Sequence, residues 1–118
     1  MTQLFETKCV PCRGGAPTLT DAEIVKLQPQ VREWQVAERE GVKRIERVFK
    51  FKNFAEALSF TDRVGALAET QGHHPVILTE WGRVTVTFWT HKIRGLHAND
   101  FIMAAKTDKL YDASQLGT

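Results

Sequence analysis

Pro75 constrains this chain more than any other single residue. The residue before a proline is driven out of the α region into extended backbone. A helix arriving from the N-terminal side must therefore stop at His73-His74, and a strand must begin there. Such a helix is written just upstream. Phe54, Ala57, Leu58, Val64, Leu67 and Ala68 recur at helical spacing, with Asn53 as N-cap and Glu56 three positions on, and predict an amphipathic helix to Thr70. Gly72 stands where a helix end favours the left-handed conformation. Downstream, Val76 to Glu80 and Arg83 to His91 read as two strands around a tight turn at Trp81-Gly82. In the second, Val84, Val86 and Phe88 fall on one face and Arg83, Thr85, Thr87, Trp89 and His91 on the other. That hairpin folds His91 back towards the His73-His74 corner.

The first half of the chain repeats this order. Thr20 and Glu23 form a capping box for a helix from Asp21 to about Leu27. Trp34 to Glu38 reads as a strand, Glu40-Gly41 as a turn, and Val42 to Phe51 alternates with Ile45, Phe49 and Phe51 on the buried side. After His91, Lys92 to Gly95 is a loop. A third helix is expected over Ala98 to Tyr111, with Phe101, Ile102, Ala105 and Leu110 inward and His97 at its cap or on the surface. Sequential hairpins pair locally and each helix has one apolar stripe to bury. The expected fold is α+β, a four-stranded antiparallel sheet with three helices packed on one face. Residues 1–17 read as a flexible N-terminal arm and residues 18–118 as a single domain. Pairing a free sheet edge across a two-fold axis would give a homodimer or homotetramer.

Composition narrows the partners. The 118 residues carry a net charge of +2 with both signs interspersed, too weak a bias for nucleic acid. Arg39, Lys43, Arg44, Arg47, Lys50 and Lys52 are interrupted by Glu38, Glu40 and Glu46, and read as a solvated strand face. No apolar run is long enough to span a membrane. The first residues lack an apolar leader core or a transit character, so a cytoplasmic location is the expectation. Cys9 and Cys12 form one Cys-x-x-Cys, followed by loop residues and lacking a second pair. It reads as an inert part of the arm rather than a zinc or redox site.

Glu69, His73-His74-Pro75, Trp81, His91 and Asp100 are the chemistry-bearing positions. Imidazole exchanges protons near neutral pH, so a cluster of three suits acid–base chemistry without a covalent step. In extended chain the rings of His73 and His74 point to opposite sides, which disfavours joint chelation of a metal. Asp100, in the first turn of the third helix, also suits the positive end of the helix dipole. Trp81 reads as a packing position on its hairpin.

The spacing from Glu69 through His73-His74-Pro75, Trp81 and His91 to Asp100 resembles that of the pterin-4a-carbinolamine dehydratase family, over about residues 18 to 115. The resemblance implies the α+β fold above and a homodimer or homotetramer. It implies dehydration of 4a-hydroxytetrahydropterin, the product left by aromatic amino-acid hydroxylases, to quinonoid dihydropterin, with no metal and no cofactor. By motif, His73, His74 and His91 are the active-site histidines. His73 and His91 would transfer protons, and His74 would mainly hold substrate. Glu69 and Asp100 would tune or orient a histidine and, with Pro75 and Trp34, complete the substrate-binding set; Trp34 reads equally as core. Gly72 departs from the many relatives with an acidic residue there. The alternatives are a protein-binding module without turnover and a histidine-ligated metal enzyme.

Overall fold

The computed structural model describes residues 3–10 and 14–116. The elements are α1 (Asp21–Leu27), β1 (Gln35–Arg39), β2 (Val42–Lys50), α2 (Phe54–Gln71), β3 (Val76–Glu80), β4 (Arg83–Phe88) and α3 (Ala98–Leu116). Short 3-10 turns occupy Leu4–Glu6, Gln28–Val31 and His91–Ile93. The strands form one antiparallel sheet in the order β1-β2-β4-β3, so the two hairpins meet through their second strands. Helices α2 and α3 cover one face, giving the α+β architecture. No helix among the described residues is long and apolar enough to cross a membrane.

Register decides which side chains become core. Ile45 pairs with Phe88 and Phe49 with Val84, and all four are buried against Phe60, Val64 and Ala68 of α2 and Phe101 of α3. Each such apolar side chain contributes roughly 1.5–3 kcal/mol when taken out of water. Arg47 lies between Ile45 and Phe49 and therefore also points inward. This corrects the solvated-face reading. Its guanidinium reaches Asp108 of α3 at 2.6 Å and lies 4.3 Å from the centre of the Phe49 ring.

Local signals set the helix ends. The Thr20 hydroxyl accepts from the Glu23 amide at 3.2 Å while the Glu23 carboxylate accepts from the Thr20 amide at 2.8 Å. The Asn53 side chain accepts from the Glu56 amide at 2.8 Å. Three expectations need correction. The buried stripe of α2 is Ala57, Phe60, Val64 and Ala68, whereas Phe54 and Leu58 turn outward. Trp81 is 73% exposed at the hairpin tip and packs into nothing that buries it. Strand β4 ends at Phe88 rather than His91, because Thr90 closes a small reversal instead of continuing the ladder. Its amide donates to the Gly95 carbonyl at 2.8 Å, and Arg94 adopts the left-handed conformation at φ 52°.

Gly95 holds that reversal against the segment before α1. A methyl at its Cβ position would sit 2.4 Å from Cγ2 of Thr18, beside the hydrogen bond from the Leu19 amide to the Leu96 carbonyl. Gly95→Ala is expected to cost about 1–3 kcal/mol, the usual penalty of overpacking. A shift in urea midpoint checks it, and Gly95→Ala combined with Thr18→Ser should recover part of the loss.

The described part of the arm, residues 3–10, lies along α3. Leu4 is buried and its amide donates to Oε1 of Gln30 at 2.9 Å. Nζ of Lys106 donates to the Phe5 carbonyl at 3.0 Å. Cys12, the other half of the Cys-x-x-Cys, lies outside the described residues.

Candidate active site

The end of α2, the start of β3, the reversal after β4 and the first turn of α3 surround an open cleft of about 660 Å³. That volume suits a small-molecule ligand. His73, His74, Pro75 and His91 all line it, as do Trp89, Thr90 and Asn99.

The corner carrying His73 follows from two backbone constraints. Gly72 takes the left-handed conformation (φ 66°, ψ 28°), and the His73 amide donates back to the Ala68 carbonyl at 3.2 Å. These bonds close α2. Pro75 then extends the chain into β3, and the two adjacent histidines separate. Only 11% of the His73 side chain is exposed, whereas 60% of His74 is.

His73 is anchored from below by Asp100. Its Nε2 donates to Oδ1 of Asp100 at 2.6 Å, and the carboxylate is fully buried. The other oxygen, Oδ2, accepts from the Thr90 hydroxyl at 2.8 Å and the His97 amide at 2.9 Å. Three donors thus converge on one carboxylate. His97 reciprocates as the α3 cap, with its Nδ1 accepting from the Asn99 amide at 3.0 Å. A histidine and an aspartate here perform the exchange that serine and glutamate make in a capping box. The Phe88 ring lies nearly parallel to the His73 imidazole, 6.1 Å away. With Nε2–H committed to Asp100, Nδ1 is the nitrogen left to accept a proton.

His91 is held differently. Its ring stacks on Trp89 at 4.4 Å and 11°, and the Arg44 guanidinium lies 4.2 Å from the Trp89 ring centre. Arg44 and Trp89 share the outward face of the sheet, since Ile45 pairs with Phe88 on the inward one. His74 pairs through Nε2 with the Glu69 carboxylate, on the solvent side of the corner.

The structure therefore sorts the sequence-expected residues. His73, His74, Pro75 and His91 come together around the cleft. Glu69 stands behind His74, and Asp100 lies beneath His73, fully buried and out of reach of a ligand. Trp34 does not wall the cleft. It is fully buried between Phe49 and Phe88, with Nε1 donating to Asp108 at 2.8 Å. Sequence reasoning missed Trp89, Thr90 and Asn99. Alternation already put Trp89 on the face of His91 and could have nominated it, but nothing local marks Asn99.

The lining also contains Cys9, whose thiol is pushed up to about 11 by burial. It stays protonated at neutral pH and is a weak nucleophile. Among the described residues no group of three or more His, Cys, Asp or Glu is placed to hold a metal ion. The lining thus brings together three differently mounted imidazoles, those of His73, His74 and His91.

Residues 17–110 match the family model described as pterin 4 alpha carbinolamine dehydratase. A protein of Nitrosococcus oceani named "Putative pterin-4-alpha-carbinolamine dehydratase" is 60% identical over 110 residues, covering 93% of this chain and 97% of its own length. One of the same name from Syntrophotalea carbinolica is 58% identical over 112 residues, covering 95% and 100%. The crystal structure of a transcriptional coactivator/pterin dehydratase from Brucella melitensis superposes with a TM-score of 0.72 at 33% identity, over 80% of this chain and 99% of that one. A pterin dehydratase-like protein identified as a RuBisCO assembly factor in the alpha-carboxysome shares the fold, with a TM-score of 0.58 at 24% identity over 70% and 93% of the two chains.

Proposed function

We propose a reaction from one premise: this chain belongs to the pterin 4 alpha carbinolamine dehydratase family. The reaction is loss of water from a 4a-hydroxytetrahydropterin to give the quinonoid dihydropterin. The C4a–O bond breaks, the adjacent ring N–H gives up its proton, and a C=N bond forms. Hydroxide leaves poorly, so an acid must protonate the departing oxygen while a base takes the ring proton. A well-placed group of either kind is worth about 10² to 10⁴ in rate.

The observation that carries the reading is the pairing of His73 with a buried carboxylate on one side of a cleft that also holds His91. His73 acts as the base through Nδ1, and Asp100 compensates the charge that develops on its ring. His91, open to solvent, acts as the acid towards the hydroxyl. His74, steadied by Glu69, holds the substrate, and Pro75 supplies apolar wall. The product is a pterin ready for reduction, so an aromatic amino-acid hydroxylase is the natural source of the substrate.

The test generates the carbinolamine in a coupled hydroxylase assay and follows its dehydration. Wild type should exceed the spontaneous rate, and His91→Ala should lose about tenfold or more with an unchanged circular dichroism spectrum. No acceleration by folded wild type would overturn the reading.

A second reading, a protein-binding module, draws on the outward-facing Phe54, Leu58 and Trp81. A partner captured through those residues would survive His91→Ala, whereas turnover would not.

A further inference from the structure

The segment that precedes the domain contributes to the cleft, and two side chains outside the histidine pattern hold it there. Asn99, in the first turn of α3, grips Val10 at both of its backbone groups. Its Oδ1 accepts from the Val10 amide at 2.9 Å and its Nδ2 donates to the Val10 carbonyl at 2.6 Å. Asn99 is itself only 2% exposed, so its side of these bonds is buried, whereas Val10 stays open to solvent. One residue earlier, the Cys9 amide donates to Oε1 of Gln71 at 3.2 Å, at the C-terminal end of α2. The Cys9 thiol points back at the Asn99 carbonyl, 3.9 Å away. Further along, Phe5 is fixed by Lys106 to its carbonyl and by the Lys109 ammonium 4.3 Å from its ring. The segment thus runs antiparallel to α3 and ends at the cleft, where Cys9 and Val10 lie in the same lining as His73 and His91.

We propose that Cys9 and Val10 form a fixed wall against which the pterin binds, and that Asn99 and Gln71 are the positioning residues that hold this wall in place. The proposal rests on the dehydratase reading for the identity of the ligand. The two tethers come from opposite sides of the cleft, one from α2 and one from α3, so the wall bridges the elements that carry His73 and its carboxylate partner. It touches neither proton-transfer nitrogen. Its contribution therefore falls on substrate affinity rather than on the chemical step. The thiol provides its own reporter. Burial keeps it protonated, so alkylation is slow while the wall is docked and accelerates when the tether is cut.

The experiment uses the full chain with Cys12→Ser, leaving Cys9 as the one thiol. Cys9 is alkylated with iodoacetamide at pH 8, with and without a stable 7,8-dihydropterin, and steady-state kinetics are run on the same samples. Asn99→Leu and Gln71→Leu are the variants; Gln71 is partly exposed at a helix end, so its replacement spares the fold. The dihydropterin should slow alkylation of the parent. Both variants should speed alkylation about tenfold or more and raise KM about tenfold, with kcat within roughly threefold of the parent. Turnover without any protection of Cys9 by the dihydropterin would overturn the wall and leave the dehydratase reading intact. Protection without turnover would overturn the dehydratase reading and leave the wall standing. A loss confined to kcat in the variants would also overturn the wall.

Discussion

Replacing Asp100 with asparagine is expected to lower kcat by about 10² to 10⁴ while the protein still folds. The carboxylate accepts from three donors: Nε2 of His73, the Thr90 hydroxyl and the His97 amide. An amide has one oxygen to offer and must turn its NH2 towards at least one of those donors. If it faces His73, the imidazole has to bond through a bare Nε2, which moves its proton to Nδ1 and removes the base. If it faces Thr90 and His97, the α3 cap loses an acceptor, at roughly 1–3 kcal/mol. Both outcomes are separable by measuring kcat and urea midpoint on one preparation. His73→Ala should lose a similar factor, and the double variant should fall within about threefold of the worse single one, because the two residues act as one unit. Losses that multiply would show that Asp100 acts independently of His73.

The largest effect on stability is expected at Asp108. Its carboxylate accepts from Nε1 of Trp34 at 2.8 Å and from Arg47 at 2.6 Å, tying α3 to the turn before β1 and to the inward face of β2. Asp108→Leu orphans a fully buried indole N–H and an inward-pointing guanidinium. The expected cost is roughly 2–4 kcal/mol, below that of a wholly buried pair because the Arg47 and Asp108 side chains keep 17% and 21% of their surface. In a chain of this length that corresponds to a Tm about 10 °C lower. Burial pushes the Asp108 carboxyl upward, against the opposing pull of Trp34 and Arg47. A group raised in the folded state favours folding in its protonated form. That contribution is complete below the ordinary value of 3.8 and fades as pH rises through the raised one. Wild type should therefore lose urea resistance relative to Asp108→Asn as pH climbs from about 4 to 7. The opposite trend would mean that attraction to Arg47 outweighs burial.

How much of this was legible beforehand differs between fold and site. Strand β3 and helix α1 lie at their expected bounds, and α2 runs one residue past Thr70, because caps, a proline and period-two alternation are local signals. Strand β4 ends short of the His91 that alternation suggests, since the bridge between Thr90 and Gly95 that follows it depends on packing of Gly95 against Thr18, far away in sequence. The three cleft histidines were found from spacing. Depth is not legible in the same way: Trp34 reads equally as cleft wall or core, and Asp100 as substrate-binding, histidine partner or helix-dipole residue, and both are fully buried. A polar residue's spacing tells which corner it reaches, whereas whether it faces the cavity or the core depends on what covers it. Arg47 makes the same point in reverse, as alternation placed it inward while its charge suggested solvent.

The shared carboxylate of Asp100 has one more consequence. The atoms that begin α3 and the atoms that orient His73 are the same atoms, so the first turn of this helix and the base of the site form one cooperative unit. Fraying of the 97–100 turn is therefore expected to loosen the anchor of His73 in the same event. On the proposed reaction, the fraction of molecules able to react would follow the fraction in which that turn is closed.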